Sequence, residues 1–162
     1  GKGLAADIIV DELMGAGADG VLVNLGGDIV FAGTPGGDPA WILAIEDERV
    51  ATDHPDRVIR HLEFEPGTAR GAAATSTTLK RVWGHGRHHL IDPRTGDVAS
   101  GDLVQATVVD DKGWRAEAAA TAALLMGSGR APQWLKDHDL VSVLLTSERL
   151  LTDDTRRGVT ND

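Results

Sequence analysis

The sequence predicts a single domain of the α+β class, with mixed or antiparallel sheets and packed helices. Short apolar segments separated by Gly-rich turns recur along the chain, which is typical of β-hairpins. Longer stretches of helical periodicity stand between these hairpins and do not alternate with single strands, as they do in parallel βαβ folds. A length of 162 residues fits one domain, and a hydrophobic share of 41% is sufficient for a core.

The first half of the chain is predicted to hold one helix followed by strands. Leu4, Ile8 and Leu13 give the helix its amphipathic pattern, and Gly15 or Gly17 should end it. The double glycine at 26–27 indicates a hairpin or bulge. The predicted strands are 21–23, 29–31, 41–45, 58–64 and a small-residue segment, 71–76.

The second half is predicted to open with a hairpin, strands 80–83 and 87–91, that turns through three residues rich in glycine. The segment DPRTG that follows should be a tight turn, because Pro93 fits a type I or II turn. The clearest helix is 114–126, ended by Gly127. The remaining elements are strands at 103–109 and 140–146 and a short helix at 133–136. We assign 1–152 to one domain and 153–162 to a polar, frayed tail.

Composition excludes several classes of function. The chain has no cysteine, so disulfides and thiolate metal sites are excluded. The net charge is -9 and the acidic residues are spread along the chain, which argues against nucleic-acid binding, since that requires a basic face. A small anionic ligand remains compatible with this charge. No apolar run approaches the ~20 residues that span a bilayer, and the compartment is not indicated.

The helix at 114–126 carries a candidate metal site. Glu117 and Thr121 are four residues apart and therefore share one helix face, among alanines. We place Glu117 in the first turn, where backbone N–H groups favour an anion. A carboxylate and a hydroxyl beside a phosphate suit Mg²⁺, a cation that prefers oxygen ligands. The spacing alone is equally compatible with a plain helix carboxylate and a packed threonine.

Two adjacent histidines, His88 and His89, precede the DPRTG turn. If this segment is a strand, their side chains point to opposite faces, so one faces a cleft and the other faces solvent. A histidine can accept a proton from a hydroxyl nucleophile. The residues themselves leave open whether this is a catalytic pair or the polar surface of a hairpin.

Six segments in register resemble the ApbE family of flavin transferases. The segment KGLAAD resembles the family's Lys-Gly-x-x-x-Asp motif, and LVNLGGDIVFAG resembles its Asn-x-Gly-Gly-Asp hairpin. The segments AWILAIEDER and ATSTTLKR resemble a Trp-containing strand and an Ala-Thr-Ser-Gly segment. The most specific match is HHLIDPRTG, similar to His-Ile-Ile-Asp-Pro-x-Thr-Gly. Finally, AEAAATAALLMG resembles the family's Ala-Asp-x-x-x-Thr helix.

The resemblance implies a function and a set of site residues. Members of the family use Mg²⁺ and FAD, join FMN through a phosphoester to a threonine or serine of an acceptor protein, and release AMP. His89 matches the active-site histidine and His88 is a neighbour without that role. The matching cofactor-binding positions are Lys2, Gly3, Ser76, His89 and Ile91, and the metal positions are Glu117 and Thr121.

Three departures from the family pattern keep other functions open. Glu117 stands where aspartate is usual, Thr77 replaces a glycine, and the chain begins at the Lys-Gly motif. We therefore expect the C-terminal portion of a longer flavin transferase, associated with an upstream fragment or forming a homo-oligomer. One alternative is a non-catalytic flavin-binding or interaction module. Another is hydrolysis of FAD to FMN and AMP.

Overall fold

In the computed structural model, which describes residues 1–153 and 159–160, the elements follow the predicted order closely. Along the chain they are α1 (Lys2–Gly15), β1 (Gly20–Asn24), β2 (Asp28–Gly33), β3 (Ile42–Glu46), a 3₁₀ turn (Pro55–Arg57), β4 (Val58–Phe64), β5 (Arg70–Thr77), β6 (Val82–Trp83), β7 (Arg87–His88), β8 (Leu103–Asp110), α2 (Gly113–Met126), α3 (Ala131–Asp137), β9 (Val141–Thr146), β10 (Leu150–Asp153) and β11 (Val159–Thr160). The α+β prediction is confirmed.

The strands form one large sheet and two small ones. The large sheet has the order β1-β2-β5-β8-β9-β10, and β11-β4-β3 form a second sheet. Every strand pairing in the described part of the chain is antiparallel. The predicted hairpin at 26–27 joins β1 and β2, which pair from Asn24 with Ile29 to Gly20 with Gly33.

The molecule has three layers because the large sheet is apolar on both faces. Alternate residues of β8 point to opposite faces: Ala106 and Val108 pack with α2 and α3, whereas Val109 packs with β3 and β4. The helix-facing surface of α2 is built of alanines, which allow the helix to approach the sheet closely. The buried alanines are Ala116, Ala119, Ala120 and Ala123.

Two glycines allow α1 and α2 to touch where both helices begin. A Cβ atom on Gly3 would lie 2.3 Å from the carbonyl oxygen of Gly113, and one on Gly113 would lie 2.7 Å from the carbonyl oxygen of Gly3. Across this contact, the buried carboxylate of Asp7 accepts hydrogen bonds from the backbone N–H groups of Gly113 and Trp114, at 3.0 Å each. Asp7 therefore caps α2 from a different helix.

The structure differs from the predicted elements in the hairpin before the DPRTG turn and in the tail. The hairpin turns at 84–86 as predicted but consists only of β6 and β7, because Arg81 has a positive φ angle and the Leu90 N–H bonds to His88 Nδ1, so neither strand extends further. Asp153 lies in β10 and residues 159–160 pair with β4, so strands extend into the segment assigned to the tail, and the division of the chain at residue 152 stays a prediction. Tail residues 154–158 and 161–162 lie outside the described part.

Helix α1 exposes apolar side chains on its outer surface. Leu4, Ile8 and Leu13 are 50%, 51% and 45% exposed. A covering upstream fragment or a second copy stays a prediction. Among helices of the described residues, none combines the length and apolarity needed to cross a membrane.

Candidate functional site

A cleft of about 640 Å³ lies where the pairing between β2 and β5 ends. Strand β2 begins at Asp28, opposite Ala74, while β5 continues to Thr77. Beyond Ala74 the β2 side of β5 is therefore bordered by the hairpin loop, where the Thr75 N–H donates to the Gly27 carbonyl at 3.1 Å. The cleft lies at this end of the sheet and is lined by residues of α1 and α2 and by residues of β3.

Five of the seven predicted site residues line this cleft. Lys2 enters from α1, Glu117 and Thr121 from α2, Ser76 from β5 and His89 from the segment after β7. Gly3 does not line the cleft, since it lies in the contact between α1 and α2. Ile91 does not line it either; it is exposed and bridges to Val98 in the turn that follows. The remaining lining residues are Asn24, Gly26, Gly27, Asp28, Ile29, Ala44, Ile45, Glu46, Glu48, Ala73, Thr75, Thr77, Lys80, Arg81 and Leu90.

The ammonium group of Lys2 is held by the β1–β2 loop. Its Nζ donates to the carboxylate of Asp28 at 2.7 Å and to the carbonyl oxygens of Leu25 and Gly26 at 3.0 and 3.3 Å. Asp28 is only 2% exposed. Burial raises the pKa of Asp28, and the hydrogen bond and charge of Lys2 partly offset that rise. Lys2 therefore fixes the loop against α1.

Glu117 caps the first turn of α1. Its carboxylate accepts from the backbone N–H groups of Lys2 (3.2 Å) and Gly3 (3.1 Å). Burial raises the pKa of Glu117, whereas the hydrogen bonds from the Gly3 and Lys2 N–H groups act to lower it. Glu117 and Asp7 are thus reciprocal caps: each helix supplies a carboxylate to the start of the other.

One expectation about Glu117 is wrong. Helix α2 begins at Gly113, so Glu117 is its fifth residue, beyond the first turn. The N–H groups at the start of α2 are occupied by the carboxylate of Asp7. The anion-favouring end of α2 is therefore filled from within the protein and is not a ligand site.

Thr121 and Ser76 bring two hydroxyls together in the cleft. Their oxygens are 3.1 Å apart, across the interface between α2 and β5. Thr121 lies four residues after Glu117, and both residues face the cleft, as the spacing predicts. Thr77, which stands where a glycine is usual, is satisfied locally: its hydroxyl donates to the Val104 carbonyl at 2.8 Å and accepts from the Leu79 N–H at 3.1 Å.

The two adjacent histidines have different surroundings. His88 is buried; its Nε2 contacts the Ala99 carbonyl at 3.1 Å and its Nδ1 accepts from the Leu90 N–H at 3.3 Å. These two contacts hold the His88 ring against the backbone of residues 90 and 99. His89 is exposed and lines the cleft. Partial burial lowers the pKa of His89, and the charge of Arg81 lowers it further.

The DPRTG segment is a turn that stabilises itself. The Thr95 N–H donates to the Asp92 carbonyl at 3.2 Å, with Pro93 in the second position, as predicted. The Arg94 guanidinium beside Asp92 lowers the pKa of that carboxyl to about 2. The turn supplies none of the residues that line the cleft.

The part of the cleft formed by the loop after β3 was not predicted from the sequence. Gln105 is fully buried in β8; it donates to the Glu46 carbonyl at 2.7 Å and accepts from the Glu48 N–H at 2.9 Å. It thereby fixes the loop after β3 against the large sheet. The carboxylate of Glu48 in turn binds Lys80 at 2.7 Å across the cleft rim. The sequence feature that could have indicated this contact is a glutamine, Gln105, within an otherwise largely apolar strand.

The cleft contains oxygen atoms that could bind a metal cation. Residues 1–153 and 159–160 contain no group of three or more His, Cys, Asp or Glu side chains arranged for a metal ion. The Glu117 carboxylate and the Thr121 hydroxyl nevertheless face the same space. Glu117 Oε1 accepts one hydrogen bond, from Lys2, and so keeps a free lone pair. This set fits a cation such as Mg²⁺ that retains several waters.

The family of the chain follows from comparison with known proteins. Residues 1–145 match the sequence model of the ApbE family, and the chain belongs to that family. It is similar to a curated FAD:protein FMN transferase of Vibrio cholerae, with 31% identity over 132 residues, which covers 80% of this chain and 37% of that protein.

Solved structures of the family share the fold. The ApbE protein of Thermotoga maritima matches with a TM-score of 0.80 and 24% identity, covering 95% of this chain and 49% of that one. The flavin transferase ApbE of Vibrio cholerae matches with a TM-score of 0.69 and 26% identity, covering 99% and 47%. The chain thus spans less than half the length of these relatives.

Proposed function

We propose that the cleft is part of the active site of a flavin transferase, which moves FMN from FAD to a threonine or serine hydroxyl of an acceptor protein and releases AMP. The observation that carries this proposal is the convergence of Lys2, Ser76, His89, Glu117 and Thr121 on one cleft. Membership of the ApbE family and similarity to the FAD:protein FMN transferase of Vibrio cholerae support it.

His89 would act as the general base. Its ring is exposed to the cleft, and its lowered pKa keeps it neutral, and therefore able to accept a proton, near neutral pH. The acceptor hydroxyl oxygen forms a bond to the FMN-side phosphorus and its proton passes to His89. The bond from that phosphorus to the bridging oxygen breaks, and AMP leaves with the electron pair.

Glu117 and Thr121 would hold Mg²⁺, which would supply charge neutralisation on the phosphate oxygens. Glu117 is suited to this because two backbone N–H groups hold its carboxylate in position at the cleft. Ser76, which is hydrogen-bonded to Thr121, would keep the threonine oxygen oriented towards the cleft. Lys2 would act mainly by holding the β1–β2 loop, since three acceptors already occupy its ammonium group.

The test is covalent transfer of flavin. The intact natural protein is incubated with FAD, Mg²⁺ and an acceptor protein carrying a threonine-containing flavinylation motif. If FMN is transferred, the denatured acceptor protein should retain flavin fluorescence, and one AMP should be released for each flavin attached. AMP without labelled acceptor would indicate hydrolysis of FAD. Binding of FAD with neither product would indicate a non-catalytic flavin-binding module.

A further inference from the structure

Arg81 is held in an unfavourable backbone conformation at the rim of the cleft. Its φ angle is +54°, and among the described residues only Asp139 is another non-glycine residue with positive φ. Such conformations are disfavoured for residues with a Cβ atom, and they concentrate at ligand-binding and active sites. The conformation places the Arg81 side chain among the residues that line the cleft.

Arg81 differs from the other cations of the cleft in having no acidic partner. Lys2 is paired with Asp28 and Lys80 with Glu48, both at 2.7 Å. Within residues 1–153 and 159–160, Arg81 makes no hydrogen bond or ion pair. Its guanidinium therefore keeps all five N–H donors for a ligand. A planar fork of donors matches the paired oxygens of a phosphate group.

We propose that Arg81 binds the pyrophosphate group of the dinucleotide substrate. This inference rests on the proposed function and adds a residue that the proposed chemistry does not use. Arg81 lies close enough to His89 for its charge to act on that ring. A phosphate bound at Arg81 would accordingly lie beside His89, where a hydroxyl nucleophile loses its proton. The guanidinium would also offset negative charge that accumulates on the departing phosphate.

The charge environment of His89 comes from several elements. Arg81 and His88 both disfavour its protonated form, while the backbone of Lys80 favours that form. The acidic residues that line the same cleft are Asp28, Glu46, Glu48 and Glu117. Asp28 is engaged by Lys2, Glu48 by Lys80 and Glu46 by Arg57, so among the described residues none of these three acids pairs with Arg81.

The experiment measures binding of inorganic pyrophosphate, FAD and riboflavin to the intact protein and three variants. Arg81→Gly removes the guanidinium while glycine accepts the positive φ angle, so the fold is retained. Arg81→Lys keeps the charge but loses the planar fork. Arg87→Gln is the matched control, because Arg87 lies in the paired strand β7 of the same hairpin but does not line the cleft.

We expect Arg81→Gly to weaken FAD and pyrophosphate binding by roughly 10- to 100-fold, the usual effect of a hydrogen bond to a charged group. Riboflavin, which has no phosphate, should bind equally well to every variant. Arg81→Lys should fall between, and Arg87→Gln should match the parent. Unchanged FAD and pyrophosphate affinity in Arg81→Gly, or a parent that binds no pyrophosphate, would overturn the inference. A parent that binds both but never transfers FMN would uphold Arg81 and refute the proposed function.

Discussion

Replacing Gly3 by alanine tests the contact that aligns the two helices of the cleft. The new Cβ would lie 2.3 Å from the Gly113 carbonyl oxygen and 2.6 Å from its carbon. Both are backbone atoms, so the helices must separate. Overpacking of this kind costs about 1–3 kcal/mol, which corresponds to a decrease in Tm of roughly 2–12 °C at about 2–4 °C per kcal/mol.

The same helix supplies a matched control for this substitution. Gly15 ends α1, and a Cβ there would have no atom within 4 Å. Gly15→Ala should therefore leave Tm unchanged or raise it, because alanine stabilises helices by roughly 0.5–1 kcal/mol relative to glycine. Thermal unfolding followed by calorimetry measures both variants. A Gly3→Ala protein as stable as its parent would refute the close approach of α1 and α2.

Three further predictions concern charged and titrating groups. Glu117→Gln should lower the stability of the metal-free protein by about 0.5–2 kcal/mol, the usual cost of losing a helix cap, and should weaken Mg²⁺-dependent FAD binding; unchanged values would refute both roles. His88→Ala should lower Tm by roughly 2–12 °C, because it leaves buried groups unpaired at about 1–3 kcal/mol, whereas His85→Ala in the exposed hairpin turn should not. Because the pKa of His89 is lowered, first by partial burial and then by Arg81 and His88, its base form persists below about pH 6.5. The transfer rate should therefore rise with pH through a midpoint below that value, and Arg81→Gly should move the midpoint upward; a midpoint that does not move would show that Arg81 has no effect on the ring.

The sequence was informative where structure is local. The helical periodicity of 114–126 and the double glycine at 26–27 predicted α2 and the β1–β2 hairpin, since spacing and turn chemistry act within a few residues. The same logic predicted that Glu117 and Thr121 share a face. The local pattern overextended both strands of the hairpin around 84–86, because the positive φ angle of Arg81 ends one strand and the Leu90 N–H bonds to the His88 ring beyond the other.

The contacts that build the cleft were not predictable from local pattern. The carboxylate of Asp7 reaches an N–H group 106 residues away, and Glu117 reaches back 114 residues to Gly3. Spacing along one helix carries no information about a cap supplied by another. The left-handed backbone of Arg81 is equally hidden, since neither its residue type nor its neighbours favour φ > 0. Residue pattern alone left the role of His89 open, and the family resemblance supplied it.

The rate of FMN transfer in His89→Ala tests the central claim most directly. His85→Ala is the control, because His85 lies in the turn between β6 and β7 and does not line the cleft. With saturating FAD and Mg²⁺ in the intact natural protein, His89→Ala should be roughly 10²–10⁴-fold slower, the usual contribution of a general base. His85→Ala should transfer at the parent rate. Equal rates in the parent and His89→Ala would contradict the assignment of this cleft as the site of flavin transfer.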